Sequence, residues 1–486
     1  MTSLIEAFAA IEPVAGHKPW PRRIVDETIW EGLAEWLSEG HGTLLGIWGE
    51  PGAVHMALLD APSGVSVASL VCAGRAFPSV GALHPPAIRF ERAISDLHGL
   101  VAFDAPDDRP WLDHDKPYAF LASEGWGLHQ IPVGPVHAGI IEPGHFRFTC
   151  NGETIVRLEE RLGYVHKAVE AMMAGAPLDL AATLAARCSG DSTVAYSLAF
   201  ARAVEAATGL NVPERAVWLR ALMAELERLA NHLGDIGAIC NDAAFALMLA
   251  HCGALREKVL RASEACFGHR LMMDAIMPGG VRADLDDEGA RRLKSLVTTI
   301  RSGFPKLVEL YDSTASLQDR TVNTGRLKPA LARRFGAGGF VGRASGRGFD
   351  ARRDLPYPPY DRLKFAVPTR IEGDVNARVW IRIKEVEQSL RLIAQILAQL
   401  PQGDIGAPPN PDALGAGEGL ALVEGFRGDV LVSVRLAPGG RVELCHPRDP
   451  SWLQWPLLEA AIEGDIVADF PLCNKSFNCS YSGHDL

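Results

Sequence analysis

The helical character of this chain is clearest in the stretch Ala224-Glu225-Leu226-Glu227-Arg228-Leu229-Ala230-Asn231-His232-Leu233. Its leucines recur three and four residues apart, which predicts a helix over residues 214–239 with one apolar face. A second face carries Glu225, Arg228, His232 and Asp235. A polar helix face is usually solvated, whereas a buried one needs partners, since unpaired charge in a core is costly. We therefore expect either an exposed face or a structural network such as Glu227–Arg228–His232.

Outward from this helix, the patterns predict an α+β protein. Residues 153–316 and 375–400 are mostly helical, Asn151-Gly152 predicts a hairpin, and residues 430–434 and 441–444 predict a second one after a Pro/Gly-rich break at 401–419. Before a linker at 104–117, strand patterns at 42–48 and 65–71 accompany a helix over 27–37. The prediction is a small N-terminal α/β domain (1–115), then a mainly α-helical domain (116–486) with small β elements at its start and near its C-terminus.

Composition narrows the function classes. The 486 residues are 48% hydrophobic, and the net charge of −11 argues against nucleic acid as a partner. Nine cysteines at irregular spacings favour free buried thiols in a reducing compartment over a disulfide framework. The N-terminus lacks a signal-peptide pattern, and the most apolar stretch, around 243–255, is shorter than the roughly 20 residues of a membrane span. We expect a soluble protein that can still dock on a membrane assembly.

The end of the first domain carries a dense run of distinctive residues. Phe77-Pro78-Ser79-Val80, His84-Pro85-Pro86-Ala87 and the stretch Phe90-Glu91-Arg92-Ala93-Ile94-Ser95-Asp96-Leu97-His98-Gly99 make up this run. It resembles the signature of the 30-kDa subunit family of respiratory complex I. Taken alone, Glu91, Arg92 and Asp96 predict a structural ion-pair cluster, and no chemistry is assigned to this domain.

The segment Arg187-Cys188-Ser189-Gly190-Asp191-Ser192 resembles the Arg-x-Cys-Gly-x-Cys motif of nickel–iron hydrogenase large subunits. The C-terminal Ser476-Phe477-Asn478-Cys479-Ser480-Tyr481-Ser482-Gly483 resembles their second ligand motif. The resemblance places the four former metal positions at Ser189, Ser192, Ser480 and Gly483. Because a hydroxyl replaces a soft thiolate poorly, we expect no nickel–iron centre. Cys188 and Cys479 are each one residue out of register, which predicts core packing.

Residues 134–148 contain His137, Glu142 and His145 between glycines and prolines. Histidine titrates near neutrality, and a glutamate in an apolar turn has a raised pKa, so these residues could relay protons. The alternative is a loop whose polar groups cap the backbone. The segment resembles the opening signature of group 4, membrane-bound hydrogenases, and the related loop of the complex I 49-kDa family lies at the tip of the quinone cavity.

Two further residues match family segments. Asp374 follows a glycine and opens a helix, which predicts an N-cap. Arg427 resembles the hydrogenase arginine that reaches over the metal's diatomic ligands, and we expect it to pair with Asp374 or Glu142 or to bind a ligand. The catalytic candidates are His137, Glu142, His145, Asp374 and Arg427.

The complex I resemblance also bears on quinone binding. Gly190 aligns with the quinone-binding tyrosine of the 49-kDa family, so this phenol is absent, and Tyr196 is displaced by six residues. Gly190, Asp191 and Tyr196 are the candidates for contacting a ligand.

The resemblance implies a metal-less, hydrogenase-large-subunit-like component of an oxidoreductase complex of the NADH:quinone oxidoreductase or hydrogenase type. We expect it to cover an Fe–S cluster held by a 20-kDa-type small subunit, beside other hydrophilic-arm subunits and antiporter-like and quinone-channel membrane subunits. It would lie in the cytoplasm, on the inner face of the cell membrane. No directly bound cofactor is expected, although the cavity could take a quinone. The alternatives are a structural assembly subunit and a true hydrogenase with unusual ligands.

Overall fold

A computed structural model gives the fold and describes residues 2–60, 64–137, 139, 141–407, 409–410 and 413–486. Ala138 and Ile140 of the predicted loop lie outside these residues. The helices are α1 (Thr2–Ala10), α2 (Glu27–Ser38), α3 (Ile88–His98), α4 (Val169–Met173), α5 (Leu178–Ala185), α6 (Thr193–Thr208), α7 (Glu214–Asp242), α8 (Ala246–Phe267), α9 (Asp287–Ser313), α10 (Ala315–Thr321), α11 (Pro329–Arg334), α12 (Gly339–Ala344), α13 (Ala351–Asp354), α14 (Val375–Gln399), α15 (Ser451–Ala461), α16 (Phe470–Phe477) and α17 (Tyr481–Asp485).

The strands are β1 (His17–Lys18), β2 (Arg22–Val25), β3 (Thr43–Glu50), β4 (Ala53–Asp60), β5 (Gly64–Val71), β6 (Ala76–Pro78), β7 (Val101–Phe103), β8 (Leu128–Val133), β9 (His145–Asn151), β10 (Thr154–Arg161), β11 (Ile276–Met277), β12 (Gly280–Val281), β13 (Gly417–Glu424), β14 (Asp429–Ala437) and β15 (Arg441–Arg448). The predicted α+β class is confirmed.

The N-terminal region is built on a sheet of order β2-β5-β4-β3, in which only β2 pairs in parallel. Helix α2 and strands β3 and β5 agree with the predicted helix and strands. The predicted ion-pair cluster of α3 is wrong in its partners. Glu91 accepts hydrogen bonds from Val80 and Gly81, and Arg92 donates to the carbonyl of Arg109. The residues are structural, but Glu91 holds the turn at 79–81, whereas Arg92 and Asp96 both hold the segment 107–113.

Two further sheets frame the helical domain. The hairpin predicted at Asn151-Gly152 joins β9 to β10, so the helical region begins at α4 and not at residue 153 as expected. The C-terminal hairpin β14–β15 is confirmed, but it belongs to a sheet of order β1-β13-β14-β15. Strand β13 starts inside the stretch expected to be a break, and β1 pairs with it in parallel from the other end of the chain.

Helix α7 runs through the centre of the helical domain and packs against α6, α8 and α14. Both of its faces are therefore buried, including the polar one, and α14 supplies some of the partners of that face. Within the described residues, none of the helices combines the length and the apolar character that crossing a bilayer requires.

The two predicted domains share a hydrophobic core. Trp111, from the predicted linker, is fully buried and donates from its indole nitrogen to Nε2 of His484, near the C-terminus, at 3.3 Å. The guanidinium groups of Arg89 and Arg92 lie over the same indole, 4.7 and 4.6 Å from its ring centroid. The linker thus contributes to the core and does not separate two independent bodies, and the division at residue 115 stays a prediction.

We expect Trp111→Ala to lower the free energy of unfolding by about 3–5 kcal/mol, because it removes a buried aromatic side chain and its cation–π partners. Chemical denaturation followed by circular dichroism measures this. Trp126→Ala is the matched control, since Trp126 is fully exposed, and should change the value by no more than about 0.5 kcal/mol. Equal effects of the two changes would contradict a core that passes through the linker.

Candidate functional site

The four former metal positions meet in the structure. Ser189 precedes a short turn at Gly190–Ser192, and Ser480 is the N-cap of α17, where its side chain accepts from the backbone of Gly483. The hydroxyls of Ser189 and Ser480 are 2.9 Å apart. Ser189 donates its single proton to the carboxylate of Asp191 at 3.0 Å, so Ser480 is the donor between the two serines. The hydrogen bonds thus run in one direction, from the backbone N–H of Gly483 through Ser480 and Ser189 to the carboxylate of Asp191.

Arg427 completes this chain from the turn between β13 and β14. Its guanidinium forms a bidentate pair with Asp191, both contacts being 2.6 Å, and it also donates to Ser192 and to the carbonyl of Asn478. Burial opposes ionisation of Asp191, but Arg427 outweighs it and lowers the pKa of that carboxyl. The pairing expected with Asp374 or Glu142 is therefore wrong.

This donor set does not fit a nickel–iron centre. The serine hydroxyls are committed to each other and to Asp191, and Gly483 has no side chain. A Cβ atom at Gly483 would collide with the carboxylate of Asp449, which is buried and accepts from the Tyr196 hydroxyl at 2.7 Å. Among the residues that the structure describes, no three His, Cys, Asp or Glu side chains form a metal-binding group.

The two cysteines beside these positions are buried, as predicted. Burial raises the pKa of Cys188 to about 12, and it raises that of Cys479 as well. Their thiols contact the carbonyl of Leu184 and the side chain of Gln454, both at 3.9 Å. At neutral pH both side chains are therefore protonated thiols that pack in the core.

A cavity of about 580 Å³ opens beside Arg427 and Asp191. This volume lies within the range of small-molecule sites. Asp191 keeps 36% of its side chain exposed there, so the pair faces the cavity while Arg427 is almost wholly covered. The apolar part of the wall comprises Val133, Ile141, Phe146, Phe470, Pro471 and Tyr481. The polar part includes His137, Glu142, Asp191, Asp242, Arg427 and Lys475. Oppositely charged groups therefore share one partly apolar chamber.

Of the candidate residues in the 134–148 segment, two line the cavity and one does not. His137 and Glu142 line the cavity. Nε2 of His137 is buried without a hydrogen-bond partner in the described parts of the chain, and burial, aided by Lys475, lowers the pKa of this ring. Glu142 accepts from the backbone of Ser482 at 3.0 Å, which joins the loop to the C-terminal segment. His145 lies outside the cavity wall, bonded to the carbonyl of Gly134 and packed against Phe120.

Of four other candidate residues, two line the cavity and two do not. Gly190 and Asp191 line the cavity, whereas Tyr196 is fully buried against Asp449 and presents no phenol to it. Asp374 caps α14 by accepting from Ala377 at 2.7 Å, as the sequence predicts. It does not belong to the cavity wall.

The polar face of α7 forms a buried network, but with other partners than expected. His232 bonds to Glu385 of α14 at 2.7 Å, and Arg228 donates to the carbonyls of Glu424 and Gly425. Glu227 points away from them and accepts from the backbone of Val194 and Ala195 at the start of α6. Burial raises the pKa of Glu227 to about 8. Arg228 and His232 thus share a structural network through Glu385, at 3.7 and 2.7 Å, and the prediction is wrong only for Glu227.

Comparison with known proteins identifies the family of this chain. Residues 242–413 match the family described as respiratory-chain NADH dehydrogenase, 49 Kd subunit. The carbon monoxide-induced hydrogenase of Rhodospirillum rubrum is 32% identical over 354 residues, which are 72% of this chain and 97% of that protein. An NADH-quinone oxidoreductase chain from Dehalococcoides mccartyi is 34% identical over 70% of this chain and 93% of that protein. The chain belongs to the family of hydrogenase large subunits and complex I 49-kDa subunits.

A solved structure agrees with the family assignment. A chain of the membrane-bound sulfane sulfur reductase, an archaeal respiratory membrane complex, matches with a TM-score of 0.70 at 26% sequence identity. The match covers 74% of this chain and 99% of that chain. About three quarters of this chain thus share their fold with a chain of a membrane-bound respiratory complex.

Several site residues escaped the sequence analysis. Lys475, Asp242 and Tyr481 line the cavity, and Asp449 occupies the space that a side chain at position 483 would need. Lys475 and Tyr481 lie near the former ligand position Ser480, and this proximity is their only sequence signal. Asp242, at the end of α7, has no such signal. Asp449 follows β15 and carries no such signal. Tertiary contact alone brings it to the site.

The Arg427–Asp191 pair gives a testable energetic coupling. We expect Asp191→Asn to destabilise the fold by about 1–3 kcal/mol, because it leaves an almost fully covered guanidinium without its carboxylate. The partial exposure of Asp191 reduces this value. In a double-mutant cycle with Arg427→Met, denaturant unfolding should show a coupling of about 1–2 kcal/mol.

Asp274→Asn is the matched control for this cycle. Asp274 also pairs with an arginine, Arg187, at 2.7 Å and has the same 36% exposure, but its partner is itself 40% exposed. Such a surface pair should contribute no more than about 0.5 kcal/mol. Additive effects of the Asp191 and Arg427 changes would show that the pair does not stabilise the site.

Proposed function

We propose that the chain is a metal-free subunit of a membrane-bound respiratory complex, in which its cavity binds a quinone-type ring and helps to protonate it. Membership of the hydrogenase and complex I family supports the assignment to such a complex. The single observation that carries the ligand proposal is Nε2 of His137, a buried polar atom without a partner among the described residues, in the wall of a large, partly apolar cavity. Buried polar atoms in native proteins normally have a partner, and a carbonyl oxygen of a ligand in this cavity could supply it.

The cavity wall has an apolar part and a polar part, and both suit a quinone. Phe146, Phe470 and Tyr481 offer apolar and aromatic surface to a planar ring. His137 and Lys475 supply nitrogen donors for carbonyl oxygens, and the lowered pKa of His137 leaves it neutral at pH 7. Asn478, Asp191 and Ser192 use four of the five N–H groups of Arg427, so at most one Nη2–H is left for a ligand. We assign Arg427 and Asp191 a positioning role.

Proton supply is the second part of the proposal. Reduction of a quinone to a quinol takes up two electrons and two protons. Glu142 is exposed at the cavity rim and His137 lies inside it, so protons can pass from solvent through Glu142 to the ring of His137. The electrons would come from an Fe–S cluster held by a 20-kDa-type partner protein, with the complex attached to the inner face of the cell membrane.

We expect His137→Ala to slow quinone reduction roughly 10²-fold, the usual contribution of a general acid. The complex is purified, its clusters are reduced photochemically, and their reoxidation by a short-chain quinone analogue is followed by stopped-flow absorbance. Glu142→Gln should also slow the reaction. His145→Ala should have less effect, because His145 lies outside the cavity.

Exposed residues provide the matched controls for this experiment. His129→Ala and Glu153→Gln change the same residue types on the surface and should leave the rate unchanged. Full activity of both His137→Ala and Glu142→Gln would instead favour a purely structural role. The tight internal pairing of Arg427 with Asp191 is the observation consistent with that second function.

Elemental analysis tests the remaining alternative, a hydrogenase with unusual ligands. We expect the purified chain to hold no stoichiometric nickel, because its hydroxyl donors are hydrogen-bonded and Asp449 blocks the position beside Gly483. Inductively coupled plasma mass spectrometry measures the metal directly. One nickel per chain would overturn both the argument from the ligands and the quinone proposal.

A further inference from the structure

Arg202 stands apart from the other deeply placed arginines of the chain. It lies on α6, outside the wall of the cavity described above, with its guanidinium carbon 4.6 Å from the ring centroid of Tyr357. Its Nε atom is buried and has no hydrogen-bond partner in the part of the chain that the structure describes. A guanidinium stacked by its face keeps its N–H groups in the plane of the fork, where they remain available to an acceptor.

The acidic groups near Arg202 are already occupied. Glu205, one turn away, binds both terminal nitrogens of Arg220 at 2.6 and 3.0 Å and accepts from the backbone of Gly279. Asp354 is bound in the same bidentate way by Arg353, at 2.8 and 2.9 Å. Each of these carboxylates is neutralised by another arginine. Glu205 acts on both Arg202 and Arg220, so one of these two positive charges is left without a counter-charge.

Arg202 also lines a second cavity, of about 340 Å³. Its walls include Trp20, Leu355, Pro356, Tyr357 and Leu422, which are aromatic or aliphatic. Pro19, Pro356 and Asp354 lie at its rim, and Pro19 and Pro356 are exposed, so the cavity opens to solvent. The site therefore combines one positive charge with a cavity whose wall is otherwise largely apolar. Its volume is at the lower end of the range of ligand pockets.

We propose that this cavity binds a small organic carboxylate with an aromatic or aliphatic body. The carboxylate would accept hydrogen bonds from the in-plane N–H groups of Arg202, and the body would lie among Trp20, Leu422 and Pro356. Inorganic phosphate fits less well, because it needs many donors on several sides and the apolar walls supply none. The proposal does not depend on the quinone site, which lies at the other end of α6.

Benzoate is the probe for this site, and benzamide is its neutral counterpart of nearly equal size. Isothermal titration of the purified full-length chain should show saturable benzoate binding, and benzamide should bind at least about tenfold more weakly. Arg202→Gln should weaken benzoate binding at least about tenfold, whereas Arg202→Lys should retain part of it. Trp20→Ala should weaken benzoate and benzamide alike, since it removes a wall and not the charge.

Arg391→Gln, on the exposed face of α14, is the matched control and should leave benzoate binding unchanged. Two results would overturn the proposal: no saturable binding of benzoate, or equal affinity of benzoate and benzamide for the unaltered chain. Neither measurement needs a variant to fold. Unchanged benzoate affinity in a folded Arg202→Gln protein would also overturn it.

Discussion

Arg427 joins three segments that are far apart in sequence: the turn after α5, the turn between β13 and β14, and the C-terminal motif before α17. Its guanidinium binds Asp191 and the carbonyl of Asn478, while its own carbonyl accepts from Gln454 of α15. A buried guanidinium cannot lose these acceptors without a large cost in free energy, so the three segments hold one relative position. The cavity takes its shape from that arrangement.

The same constraint governs the interior of the helical domain. Arg343 is fully buried between Glu385 and Glu424, at 2.7 and 2.8 Å, and links α12 to α14 and β13. Arg352 is held in the same way by Asp350 and Glu225. The pairs of Arg343 with Glu385 and Glu424, and of Arg352 with Glu225, connect different elements. The register of helices against the sheet is therefore fixed by charge pairing as well as by apolar packing.

Exchange of thiolates for hydroxyls changes what the old metal position can do. Thiolates would repel one another unless a cation lay between them, whereas hydroxyls hydrogen-bond directly, as Ser189 and Ser480 do. The hydrogen-bonded serines therefore occupy the former metal position themselves, whereas the neighbouring cavity remains open. Two of the buried polar atoms that have no partner among the described residues belong to side chains that line cavities: Nε2 of His137 in this one, and Nε of Arg202 in the second. Each proposal rests on such an atom together with the cavity beside it.

The sequence by itself determined the fold class, the central helix, both hairpins and the loss of the thiolate ligands, because periodicity, turn residues and motif spacing are local properties. It also predicted the cap formed by Asp374 and the burial of Cys188 and Cys479. Strand β13 escaped it, since this strand follows a Pro/Gly-rich segment and is completed by β1 from the other end of the chain. Only the tertiary structure decided that Arg427 binds Asp191, that Tyr196 is buried against Asp449, and that Lys475 and His137 share a cavity. Those choices depend on which distant segments meet, and a buried charge or polar group selects its partner only when the fold has brought them within hydrogen-bond distance.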